Sequence, residues 1–254
     1  MSSESSPLTD RPELTFAAAG VDALLMQFGQ TMDPCLPGFL AQLRQRILSE
    51  LADVVHEVVP AYSSLLVYYE PRAVRTFDLE QALEQLSQDV PWLCSPWSTD
   101  ADTPGQLVKV PVCYDPRCAP DLESVMALTK LSAEDIIALH SDKDYQVYAL
   151  GFAPGFAYLG ALDEQLQVPR MKNPRTHVPA GAVGIAGQQT AVYPLESPGG
   201  WHLIGASPFV WFRADREPMT PVQVGDRIRF YAIDYATYED LLAENEKARS
   251  GAQQ

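Results

Sequence analysis

An α+β chain in two parts is predicted by three features of the sequence. Helix-period and strand-period stretches alternate over about the first hundred residues. Short β-rich runs separated by turn residues follow from Gly181 onward, and a segment dense in Gly and Pro, 151 to 208, stands between the two patterns and overlaps the second. At 254 residues there is enough chain for two ordinary hydrophobic cores. The expected divisions are a disordered, solvated tail over 1–12, an α/β domain over 13–105, a β-rich domain over 106–240, and a helix end and tail over 241–254. The boundary is placed by "VPWLCSPWSTDADTPG", which is polar and rich in turn residues.

The elements follow in order. "VDALLMQFG" (21 to 29) is an apolar run stopped by Gly29, and Leu36, Phe39, Leu40, Leu43, Ile47, Leu48 and Leu51 then form one apolar face of a helix. "SSLLVYYE" reads as a strand, "FDLEQALEQLSQDV" as a helix with Leu79, Leu83 and Leu86 on one face, and "GQLVKVPVCYD" (105 to 115) as a further strand. That β-α-β-α-β order fits a ferredoxin-like α/β sandwich. In "LSAEDIIALH" Ser132 is the N-cap and Asp135 completes an approximate capping box for a helix ending near His140, where an imidazolium would suit the helix dipole. "DYQVYALGF" is a strand leading into the Gly/Pro segment. "AVGIAG", "QTAVYP", "WHLIGAS", "FVWFRAD" and "DRIRFYAI" read as β runs, with "VGD" (224 to 226) a hairpin signal and a short acidic helix closing the chain.

A net charge of −15 argues against nucleic acid as a partner, because phosphate backbones are held by clustered Lys and Arg. No apolar run reaches a membrane-spanning length and the first residues lack a secretory pattern, so the expected location is cytoplasmic, without membrane association. Cys35, Cys94, Cys113 and Cys118 lack C-x-x-C spacing and are expected to be reduced thiols, and no metal site is expected.

Glycine is used where φ must be positive or another group must approach the main chain, and proline where φ is fixed. Their density predicts rigid irregular loops. No Asp or Glu occurs from Gln165 to Leu195, whereas Arg170, Lys172, Arg175 and His177 fall close together, which suggests an anion-tolerant site. Gly181, Gly184 and Gly187 at intervals of three are expected to leave backbone N–H groups open to an acceptor such as phosphate, without a Walker motif. Glu196 reads either as a general base or amide-orienting group or as a turn residue paired with an arginine. Tyr193, Trp201 and Phe209 read as core.

The run "GFAPGFAYLG", "PR…PR…VPAG", "GIAG", "QT" and "YPLESPGGWHLIG" resembles the family that contains the B subunit of 5-oxoprolinase, the sporulation kinase inhibitor KipI and the first carboxyltransferase-like domain of allophanate hydrolase and urea carboxylase systems. The resemblance implies a ferredoxin-like domain followed by a cyclophilin-like β-barrel. It implies one component of a hydrolase, inactive alone, that works with the A and C subunits to open 5-oxo-L-proline to L-glutamate with ATP and magnesium at the level of the complex. A kinase-inhibitor role or a urea or allophanate role is the alternative. The positions it carries over are His140 and Glu196 as catalytic groups, and Arg170, Arg175, Gly181, Gln189 and Thr190, with Gly184 beside them, as substrate or phosphate contacts. Two departures stand out, Ala182 where the family commonly has Ser and Ala206 where an Arg commonly follows "IG".

Overall fold

The computed structural model describes residues 11–31, 33–92, 105–141 and 143–251, and the chain divides into two units, Met1–Gly105 and Gln106–Gln254. The first unit contains β1 (Leu14–Ala18), β2 (Ala23–Phe28), α1 (Leu36–Glu50), β3 (Val55–Ala61), β4 (Ser64–Tyr69) and α2 (Thr76–Asp89). Period-two burial in β4 turns Leu65, Val67 and Tyr69 inward. The 3.6-residue period turns Leu36, Phe39, Leu40, Leu43 and Ile47 of α1 and Leu79, Leu83 and Leu86 of α2 onto the same core, with Pro37 tolerated in the first turn of α1. The sheet is antiparallel in the order β1-β2-β4-β3, so α1 carries the chain from β2 past β4 to β3, the split crossover of a ferredoxin-like sandwich.

Sequence and structure differ over which segment fills the edge beside β2. The run at 105 to 115, expected to complete this sandwich, belongs to the second unit as β5, and Leu14–Ala18 takes the edge position instead. That strand escaped the sequence reading because its residues are only half-buried or exposed, as an edge permits. Arg11, read as part of the tail, is anchored: its Nη2 donates to Val90 O at 2.7 Å and its guanidinium stacks on Phe39. The rest of the expected tail, residues 1–10, and most of the expected linker lie outside the described residues.

The second unit contains β5 (Leu107–Cys113), α3 (Leu122–Thr129), α4 (Ala133–Ser141), β6 (Asp144–Leu150), β7 (Ala157–Gly160), β8 (Arg175–Val178), β9 (Ala182–Ala186), β10 (Gln189–Val192), β11 (Ser197–Gly199), β12 (His202–Ala206), β13 (Arg227–Ile233) and α5 (Tyr235–Gly251). Seven of these strands, in the order β6-β13-β5-β12-β9-β10-β7, close through a β7–β6 pairing into a barrel, the cyclophilin-like form expected. Val110, Val112, Tyr145, Val147, Ile185, Ile204, Ile228 and Phe230 fill it. β8 and β11 form a separate two-stranded ribbon.

The capping box of α4 is present, with Asp135 N donating to Ser132 Oγ at 3.1 Å. Three local expectations are corrected. The run at 209 to 215 is not a strand, because its half-buried Phe209 and buried Trp211 anchor it without a ladder partner. Residues 224 to 226 form a turn held by Asp226 and not a hairpin, since β13 pairs with β5 and β6. The last helix is long, reaching Gly251, where a short one that frays was expected. Cys113 and Cys118 are free thiols, Cys35 is disulfide-bonded against expectation, and Cys94 lies outside the described residues. Among the described residues no helix is long and apolar enough to cross a membrane.

Candidate active site

The Gly/Pro segment is closely packed at two positions where its glycines take positive φ against neighbouring backbone. Gly155 (φ +82) turns so tightly that a Cβ would lie 2.6 Å from Trp211 O, and Gly181 (φ +84) would place one 2.6 Å from Ser207 O. Close to the first of these turns Phe152, at φ +74 and 60% exposed, is an aromatic residue held in a left-handed conformation at the surface. It stands at one end of a row of rings, Phe152 to Phe156 at 5.2 Å and Phe156 to Tyr158, Tyr193 and Trp201 at 4.8 to 6.1 Å. Tyr193 and Trp201 are buried, as expected of core, and the Tyr193 hydroxyl presses so closely on Gly199 that no side chain fits there.

The backbone donors of this segment are committed. Gly181 N donates to Tyr193 O at 2.7 Å and Gly187 N to Val168 O at 2.7 Å. Gly184 lies inside β9 with β10 on one side and β12 on the other. The expectation of open N–H groups is therefore corrected: these glycines admit close packing of Trp201 and Ser207 and do not cradle an anion. A nucleotide phosphate chain finds no fit among them. Among the described residues there is also no group of three His, Cys, Asp or Glu side chains that could hold a metal ion.

His140 and Thr190 do come together, but inside the barrel. Thr190 Oγ1 donates to Gly184 O at 3.1 Å, so its oxygen accepts from His140 Nε2–H at 2.8 Å, which leaves Nδ1 to accept the Tyr114 hydroxyl at 2.7 Å. The ring is fully buried, stacks on Phe230 at 4.7 Å, and is held neutral by desolvation, which lowers its pKa to about 3. A buried neutral ring has no access to substrate and gains nothing from the helix dipole, so both sequence readings of His140 give way to a structural one.

Arg175 is likewise committed. It makes a bidentate pair with Asp121, Nη2 to Oδ1 at 2.6 Å and Nη1 to Oδ2 at 2.8 Å, and Asp121 is almost wholly buried and also accepts Leu203 N at 2.7 Å. Asp121, the residue that the sequence reading missed, lies 54 positions upstream, outside any local charge window. Glu196 is exposed and faces His177 Nδ1 at 3.1 Å, the turn-pair reading with a histidine in place of an arginine. Gln189 is half-buried in β10 opposite Ala186. The two departures from the family pattern, Ala182 and Ala206, are register partners across β9 and β12, so both changes make one spot apolar.

What remains is Arg170. Pro169 O accepts from His202 Nε2 at 3.1 Å and Met171 N donates to Gly200 O at 2.8 Å, which lays the Arg170 stretch alongside the stretch that carries Trp201. The Tyr193 phenol, whose pKa is raised by burial, is drawn the other way chiefly by Arg170. Among the described residues no carboxylate lies within ion-pair distance of this exposed guanidinium, in a chain of net charge −15. An uncommitted cation at the edge of an aromatic face can hold a small planar anion, the charge on the guanidinium and the flat part on the rings.

Known proteins agree with this architecture. The profile described as "Carboxyltransferase domain, subdomain C and D" matches residues 14–222. A protein of Bacillus subtilis, named as the B subunit of 5-oxoprolinase, is 36% identical over 227 residues, 87% of this chain and 95% of that protein. One of the same name from Haemophilus influenzae is 39% identical over 76% of this chain and 89% of its own length. The solved Kluyveromyces lactis urea carboxylase shares the fold over 94% of this chain at a TM-score of 0.72, with 16% identity, and this chain spans 24% of its length. The chain thus belongs to the carboxyltransferase domain, subdomain C and D, family.

Proposed function

We propose that this chain is the B subunit of an ATP-dependent 5-oxoprolinase, a hydrolase acting on a cyclic amide, and that it works with the A and C subunits to open 5-oxo-L-proline to L-glutamate. The names of its relatives support the assignment, and the observation that carries it in this chain is Arg170, a free guanidinium beside an aromatic face. The substrate is a flat five-membered lactam bearing one carboxylate. In this reading Arg170 takes the carboxylate, and Phe152 covers the ring. ATP with magnesium supplies the activation of the stable lactam at the level of the complex, since the glycine donors of this chain are already used. The chain alone is then inactive, and it acts in the cytoplasm beside a directly bound C subunit.

The test is reconstitution. The purified chain mixed with homologues of the A and C subunits should form glutamate from 5-oxoproline only when ATP is present, and the chain alone should not. Turnover by the isolated chain, or no dependence on it in the mixture, would overturn the proposal.

Within the active mixture Arg170→Ala should lower turnover tenfold or more, because a charge-assisted contact contributes about 1.5 to 3 kcal/mol. The melting temperature should stay nearly constant, as for a surface change. Arg170→Lys should recover only part of the loss if two guanidinium nitrogens are used. Full activity of Arg170→Ala would remove this residue from the site.

A further inference from the structure

α5 lies across the irregular segment that follows β12, and two cavities of about 140 and about 390 Å³ open beneath it. Both are lined by Pro208, Phe209, Val210 and Asn245, so they are adjoining lobes of one groove. The helix is fastened over it at two points. Arg117 stacks on Tyr235 at 3.4 Å near its start, and Asn245 Nδ2 donates to Pro208 O at 2.7 Å near its other end. Between them Tyr238, Leu241 and Leu242 are only half-buried, so the helix roofs the groove without filling it.

The larger lobe is walled by Pro111, Phe209, Val210, Pro221 and Leu241, and Arg216 is the one cation on its lining. Its neighbour Arg213 is paired with Asp215 at 2.6 Å, whereas among the described residues no carboxylate lies within ion-pair distance of Arg216. In the smaller lobe Trp211, 2% exposed, carries an indole Nε1 with no acceptor. Glu246 adds a carboxylate to the lining of the smaller lobe, whereas the larger lobe, apolar apart from Asn245 and with a cation held in no ion pair, selects for an apolar molecule with an anionic end. Its volume lies at the low end of small-molecule sites.

We propose that the groove under α5 is a binding site for a medium-chain aliphatic carboxylate, with the tail in the larger lobe and the carboxylate on Arg216. Its lining shares no residue with the Arg170 face, and no step of 5-oxoproline opening is assigned to it.

Calorimetric titration of the full chain with octanoate, butyrate and octan-1-ol tests the proposal without the A or C subunits or any turnover assay. Octanoate should bind, and butyrate and octan-1-ol should each bind at least tenfold more weakly, one for want of a tail and the other for want of a charge. Arg216→Gln should weaken octanoate about tenfold and leave octan-1-ol unchanged. Leu241→Trp, which fills the larger lobe, should abolish binding while the urea unfolding transition is retained. Octanoate binding that is absent at millimolar concentration, equal to that of octan-1-ol, or unchanged in Arg216→Gln would overturn the proposal. Should Leu241→Trp fail to fold, the Arg216→Gln comparison decides alone.

Discussion

Arg175→Ala is expected to lower the unfolding free energy by about 3 kcal/mol, because removing the half-buried guanidinium leaves an almost wholly buried carboxylate without its partner. The carboxylate left behind belongs to Asp121, which precedes α3 and accepts Leu203 N from the start of β12. One substitution therefore loosens β8, α3 and β12 together. Urea unfolding followed by far-UV circular dichroism measures the loss, and activity in the reconstituted complex should fall only in proportion to the folded fraction. Asp121→Asn should cost less than Arg175→Ala, since an amide still offers an acceptor to Leu203 N. The double change Arg175→Met with Asp121→Leu should recover part of the stability lost by either residue alone. A folded Arg175→Ala protein of normal stability and no activity would return Arg175 to the substrate site.

The fate of Arg175 shows where sequence reasoning reached and where it stopped. Periodicity located α1 and α2, a capping box located α4, β-branched and aromatic composition located β4, and a β-rich run bounded by turn residues located β13. The density of glycine announced backbone under constraint, and Gly155 and Gly181 are so constrained. Composition could not say whether that constraint exposes donors or consumes them. The answer depends on Ser207, Trp211 and Tyr193, whose approach is set by barrel closure. For the same reason a window free of acids seemed free of ion pairs, although the chain returns Asp121 to Arg175 from 54 residues away. Arg170 differs from Arg175 only in what the fold brings to it. The row from Phe152 to Trp201 was likewise hidden: of its members Tyr193 and Trp201 were read as core aromatics, and only the positive φ of Phe152 distinguishes a ring left at the surface.

Acid should destabilise the second unit through His140. Its folded pKa is about 3 against an ordinary 6.5, so the unfolded chain takes up a proton that the native barrel refuses. The stability that the neutral ring contributes is complete above about pH 6.5. It falls by about 1.4 kcal/mol per pH unit below that and is exhausted near pH 3. Between pH 6.5 and 4.5 the expected loss is on the order of 2 kcal/mol, a large share of the stability of an ordinary domain. The groups facing the ring are Tyr114, Tyr145, Thr190 and Phe230, none of which is charged in this range, so the part of the slope that His140→Gln removes belongs to the ring itself. His140→Gln should be less stable than the parent at pH 7 by about 1 to 3 kcal/mol, through imperfect bonds to Tyr114 and Thr190, yet should lose less between pH 6.5 and 4.5. Thr190→Val should lower stability at pH 7 by a similar amount, because it strips the acceptor from Nε2–H and leaves that donor buried. Urea unfolding at successive pH values gives the slopes, and the imidazole resonances in a proton NMR titration give the pKa. A His140 that titrates near 6.5 in the folded protein, or a His140→Gln variant with the same pH slope as the parent, would show that the ring is open to solvent and could again be considered for proton transfer.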